Sequence, residues 1–93
     1  MQDRVMIVIN APIDEADTMR DAIGEAGGGK LGNYSFCSFS IKGLGRSLPS
    51  ERAKPTIGTP GELEVIEEER IEVSCDKADA PAIVRVIRET SSY

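Results

Sequence analysis

The sequence has no histidine and no tryptophan, and aromatic residues make up only 4% of its 93 positions. Without histidine there can be no Ser-His-Asp triad, no Cys-His pair and no metal site with an imidazole ligand. Only two cysteines occur, Cys37 and Cys75, too few for a disulfide scaffold. Long apolar runs are also missing. Val5-Met6-Ile7-Val8-Ile9 falls far short of the ~20 residues that cross a bilayer, and no basic-then-apolar leader opens the sequence. These features lead to an expectation of a cytoplasmic, reducing location. Positive charge is scarce as well, with 11 basic against 16 acidic residues and a net charge of −5. Neither duplex nucleic acid nor an anionic membrane is therefore expected as a partner.

What is present reads as one α+β domain covering residues 1–93. A chain of this size buries roughly 60–65% of its unfolded surface, so self-association would help its core. The β-branched run 5–9 predicts a strand buried on both faces. Pro12 suits a helix start, and Asp14, Glu15 and Asp17 place negative charge at the positive end of its dipole. Apolar residues at helical spacing then predict a helix over about 13–26, stopped by Gly27-Gly28-Gly29. Alternation predicts a second strand over 33–42, with Cys37, Phe39 and Ile41 on one face. A third strand is expected over 62–75, where Leu63, Val65, Ile71, Val73 and Cys75 share a face that Glu67 and Glu69 interrupt. That interruption implies a bulge or a strand that projects beyond the core. Asp79 and Pro81 open a second helix that runs to about Thr90.

The order strand, helix, strand, strand, helix predicts a ferredoxin-like βαββα(β) sandwich. Its antiparallel sheet would carry two helices on one face, with the fourth strand missing or supplied by another chain. The first strand would then present an unpaired edge, which invites pairing with a second chain. Residues 43–61 show no periodicity and exceed the length of about 12–15 residues beyond which loops are uncommon unless functional or disordered. This segment holds Arg46, Arg52 and Lys54 against a single Glu51.

The stretch from Gly27 to Asn33 admits two readings. It is either a helix cap followed by a tight turn or a glycine nest whose N–H groups and Lys30 hold an anion. It is not a nucleotide-binding P-loop, because it follows a helix rather than opening one. Cys37 and Cys75 read as core thiols. A hairpin closing near Lys42 and Glu62 would set Cys37 opposite position 67, not opposite Cys75. Six glutamates between Glu62 and Glu72 read as a solvated, edge-protecting face or, less favourably, as a ligand set for a divalent cation.

One combination of motifs is specific. Gly29-Lys30-Leu31-Gly32-Asn33-Tyr34, Cys37-Ser38-Phe39 and Gly43-x-Gly45 are followed by Ala53-Lys54-Pro55-x-Ile57-Gly58, Gly61-x-Leu63-Glu64 and Glu69-Arg70-Ile71-Glu72. Together they resemble the Nif-three-like family, and within it the CutA-like or PII-like domain found inserted or standing alone. The resemblance implies a ferredoxin-like fold, a homotrimer, and a long loop in the place where PII relatives meet effectors. In the full-length family a separate domain carries a two-metal site built from histidine and acidic residues, and that site does not carry over. This sequence departs from the pattern at Arg46-Ser47, where an aromatic is usual, and at Ser91-Ser92-Tyr93, where the family has His-Pro-Tyr and a further strand.

The expectation is a non-enzymatic homo-oligomer that binds a small anionic ligand. The ligand-binding residues would be Gly28, Gly29, Lys30, Gly32, Asn33, Tyr34, Arg46 and Lys54. No catalytic residue, metal ligand or cofactor is assigned. A purely structural assembly domain is the alternative.

Overall fold

In a computed structural model, described here for residues 3–50 and 59–92, three strands and two helices follow one another in the expected order. Strand β1 (Arg4–Pro12) leads through a 3-10 turn (Ile13–Glu15) into helix α1 (Ala16–Glu25). Strands β2 (Phe39–Ser47) and β3 (Glu64–Asp76) follow, and a second 3-10 turn (Lys77–Asp79) opens helix α2 (Ala80–Thr90). The sheet has the order β1-β3-β2 and both pairings are antiparallel. This is the α+β, ferredoxin-like arrangement with both helices on one face of the sheet. Among the described residues no strand lies on the free edge of β1.

The core lies between the helices and one face of the sheet. Ile71, Val73 and Cys75 supply it from β3, with Met19 and Ile23 from α1 and Ile83 from α2. Val5, Ile7 and Ile9 pack against it from β1. Strand side chains alternate between faces, so Met6, Val8, Phe39 and Ile41 fall on the opposite, uncovered face and are exposed; β1 is thus covered on one face, not buried on both as its continuous apolar run implies.

The structure corrects several boundaries. The first helix begins as a 3-10 turn and becomes α-helical only at Ala16. The second strand begins at Phe39 and ends at Ser47, not at 33–42. Residues 33–38 are irregular, because the backbone at 29–37 is used for turns rather than for the ladder. The register moves with it, as Phe39 pairs with Glu72 and Ser47 with Glu64. The hairpin therefore closes well past Lys42. Part of the expected long loop is strand, and residues 51–58 of it lie outside those described. Asp79 occupies the cap position of α2 without a side-chain capping bond.

β3 needs no bulge, since its pairing with β2 is unbroken from Glu64 to Glu72. It projects instead. β1 ends at Pro12 opposite Glu68, so among the described residues only β2 lies beside residues 64–67. The molecule measures 48 × 23 × 19 Å, and its radius of gyration is 14.9 Å. A compact chain of this length would have about 12 Å, so the β2–β3 hairpin stands out as an arm. Truncating Ile23 or Ile71 to alanine removes fully buried side chains. Each change is expected to cost about 2–5 kcal/mol, read as a lower denaturation midpoint.

Candidate functional site

The glycine-rich turn is a helix stop built from backbone hydrogen bonds. Gly28 N–H donates to the Ile23 carbonyl at 2.9 Å, and Gly27 N–H to the Gly24 carbonyl at 3.1 Å. This is the Schellman pattern, which requires a left-handed residue just past the helix, and Gly27 has φ +100°. Gly29 N–H then donates to Ser74 of β3 at 2.8 Å, and its carbonyl accepts from Cys37 N–H at 3.0 Å. Leu31 and Tyr34 exchange two backbone bonds around Gly32-Asn33, a hairpin turn with left-handed glycine at its first central position.

The N–H groups of Gly27, Gly28 and Gly29 are thus spent inside the chain. What the turn offers outward is the exposed set Lys30, Gly32, Asn33 and Tyr34. Arg4 fixes this turn to the sheet. Its guanidinium donates to the Lys30 carbonyl at 3.0 Å, to Ser74 Oγ at 2.9 Å and to Asp76 at 3.0 Å.

The other expected ligand residues lie elsewhere. Arg46 pairs with Val65, whereas the glycine turn meets β3 at Ser74. The rise of a strand separates those positions by about 30 Å. Within one chain, then, Lys30 and Arg46 sit at opposite ends of the sheet, and Lys54 lies outside the described residues.

A charge cluster went unread in the sequence. Arg20 of α1 donates to Ser40 Oγ at 3.1 Å and to Glu69 at 3.3 Å, and pairs with Asp17. The hydrogen bond to Asp17 holds its proton most strongly, with Glu69 adding to it against the cost of burial, so its pKa lies above the usual value. Glu69 interrupts the apolar face of β3 because Arg20 meets it there. Its neighbour on that face, Glu67, lies on the arm and is exposed. A helical arginine facing a strand carboxylate is a signal only once the register is known.

The two thiols are free. Cys75 is fully buried, and desolvation, with Asp79 next, pushes its pKa up. Cys37 is half-buried beside the Ser35 carbonyl. Phe36 takes φ +57°, uncommon for a side chain of its size. Its ring lies against Gly24, where a Cβ would come within 2.0 Å of Cδ1. Among the described residues, no three acidic or cysteine side chains gather closely enough to hold a metal ion, as the glutamates of β3 alternate between its two faces. No helix among them is long and apolar enough to cross a membrane.

Two outcomes follow from this geometry. Gly29 has φ +78° and a Cβ there would lie 2.3 Å from the Cys37 carbonyl oxygen. Gly32 has φ +58° but open space around it. Gly32→Ala is expected to cost the left-handed penalty of about 1–2 kcal/mol, and Gly29→Ala clearly more, by chemical denaturation. In a thiol-labelling time course Cys37 reacts first. Cys75 reacts only as the chain opens, and faster at higher pH, because burial disfavours its thiolate in the folded chain and the reactive thiolate forms once opening exposes it.

No family model matches the chain. Among curated relatives, the GTP cyclohydrolase 1 type 2 homolog of Halalkalibacterium halodurans is 37% identical over 87 residues, which is 94% of this chain and 23% of that protein. The homolog of Bacillus subtilis is 36% identical over the same share of both chains, and that of Mycobacterium tuberculosis is 35% identical over 92% of this chain. Among solved structures, a Bacillus cereus protein related to NIF3 superposes with a TM-score of 0.84 at 32% identity, over 99% of this chain and 23% of that one. The chain spans about a quarter of the length of these relatives, and it is a small NIF3-like domain.

Proposed function

We propose that this domain is a non-enzymatic, self-assembling binding module of the CutA/PII-like kind, which takes a small anionic ligand where subunits meet. The observation that carries the reading is the one-sidedness of the sheet. Helices cover one face, while Met6, Val8, Phe39 and Ile41 remain exposed on the other. They flank the central pair in which Arg70 Nε donates to Glu72 at 3.1 Å. Exposed apolar surface of this kind marks an interaction site, and a second copy offers the same chemistry. A homotrimer is the assembly in view. The separation of Lys30 from Arg46 adds a reason for the ligand to lie between subunits, because cations at opposite ends of one sheet converge only across copies.

Light scattering on the 93-residue chain is expected to give a multiple of its 10.0 kDa mass. Calorimetric titration with inorganic phosphate, AMP and ATP is expected to give heat with at least one of them. Lys30→Ala and Arg46→Ala should each weaken that binding about tenfold or more, since a hydrogen bond to a charged group contributes about 1.5–3 kcal/mol.

A second reading, assembly without a ligand, is favoured by the internal use of the Gly27, Gly28 and Gly29 N–H groups. A stable oligomer that gives no heat with any of the three probes would select it.

A further inference from the structure

We infer that residues 30–38 form a strap latched by the Phe36 ring on Gly24, and that this latch controls how Lys30, Asn33 and Tyr34 are presented to the anionic ligand. The inference rests on the binding role proposed above and adds a means of regulating it. The strap is thinly attached. Among the described residues, two hydrogen bonds tie it to the rest of the chain. Cys37 N–H donates to the Gly29 carbonyl and the Arg4 guanidinium to the Lys30 carbonyl, each at 3.0 Å. The Leu31–Tyr34 pairing is internal to the strap. Leu31, Tyr34 and Phe36 are all exposed, so little apolar burial holds the segment down. Segments of this kind open locally at far lower cost than the core.

Phe36 is the third attachment, and it is strained. Its φ of +57° lies in the left-handed region, which disfavours a residue with a Cβ by about 5–30-fold in population. Such a conformation persists only where the surroundings enforce it. The enforcing contact is with Gly24, buried in the last turn of α1. The Phe36 ring covers this glycine so closely that a Cβ there would lie 2.0 Å from Cδ1 and 2.3 Å from Cε1. Gly24 is not one of the glycines with positive φ. The helix therefore does not require glycine at this position, and would be firmer with alanine. The missing side chain serves as the seat of the ring.

Release breaks one ring contact and two hydrogen bonds and relieves the strain at Phe36, so the docked and released states lie close in free energy. Lys30, Asn33 and Tyr34 ride on the strap and move with it, whereas Arg46 stays on β2. A ligand that binds the docked arrangement draws the strap closed, and it binds more weakly once the latch is broken.

Two variants break the latch in different ways. Gly24→Ala fills the seat while raising helix propensity, so its chemical denaturation midpoint is expected to match or exceed that of the wild type. Phe36→Ala removes the ring and leaves a Cβ at the left-handed position. In both, hydrogen exchange at the Cys37 amide is expected to be about tenfold faster or more, with core amides of β1 and β3 unchanged. Labelling of the Cys37 thiol should accelerate in parallel. Calorimetric titration with inorganic phosphate, AMP and ATP should show binding about threefold weaker or more in both variants. In the wild-type chain the probe that binds should also slow exchange at Cys37. If Cys37 exchanges only together with the core amides, or keeps its wild-type rate in Gly24→Ala, there is no latch. Faster exchange at Cys37 with unaltered affinity overturns the control of binding. A wild-type chain that gives no heat with any of the three probes removes the binding role and its control, while exchange at Cys37 still decides the latch.

Discussion

β3 must satisfy two neighbours at once, and it is longer than either of them. Its 13 residues face strands of nine on both sides, so the pairings cannot share both ends. Over 68–72 it is held from both edges, and beyond that toward Asp76 it is paired with β1 on one side and bonded by Gly29 N–H at Ser74 on the other. Toward Glu64, among the described residues, only β2 pairs with it. The core lies where Ile71, Val73 and Cys75 meet the helices, and the arm begins where they no longer reach. Leu63 and Val65 continue the same apolar face past the helices and are exposed there. The division into a packed end and a protruding end is a matter of strand length.

Two arginines tie the irregular parts to this frame. Arg4 joins the first strand, the third strand and the glycine turn through three hydrogen bonds. It therefore compensates for a turn that buries little apolar surface, with Leu31 and Tyr34 both exposed. Arg20 crosses from α1 to Ser40 and Glu69 and anchors the helix over the hairpin at the point where the arm departs. Hydrogen bonds to charged groups exceed neutral ones, and each arginine spans elements far apart in sequence. The turn itself is set by glycine. Gly29 must be left-handed and must let the Cys37 backbone approach, and only a residue without Cβ does both.

Much of the fold was legible because period and punctuation are local properties. Val5 to Ile9 form a β-branched apolar run, Met19 and Ile23 stand one helical turn apart, and Gly27 follows the last turn of its helix. Each is visible over a few residues. The same is true of the interrupted face of the third strand, whose projection was one of the two outcomes that Glu67 and Glu69 allowed. The second strand was misplaced because Tyr34, Phe36 and Cys37 alternate just as strand residues do. Their backbone groups go to turns, and alternation cannot report where a hydrogen bond is made. The pairing of Arg20 with Glu69 was hidden for a related reason. It depends on a register that only the closed hairpin defines.

Local residue patterns were enough for the class of the domain, the number and order of its elements and the helix stop at the glycines, but not for which face of the sheet stays uncovered. These follow from side-chain periodicity and backbone freedom, which act within a few residues. Tertiary structure alone decided the register of β2 on β3, the length of the arm and the partners of Arg4 and Arg20. It also decided that Lys30 and Arg46 lie at opposite ends of one sheet. Those are distances between segments remote in the chain, and they become fixed only when the core closes and each strand takes its neighbour.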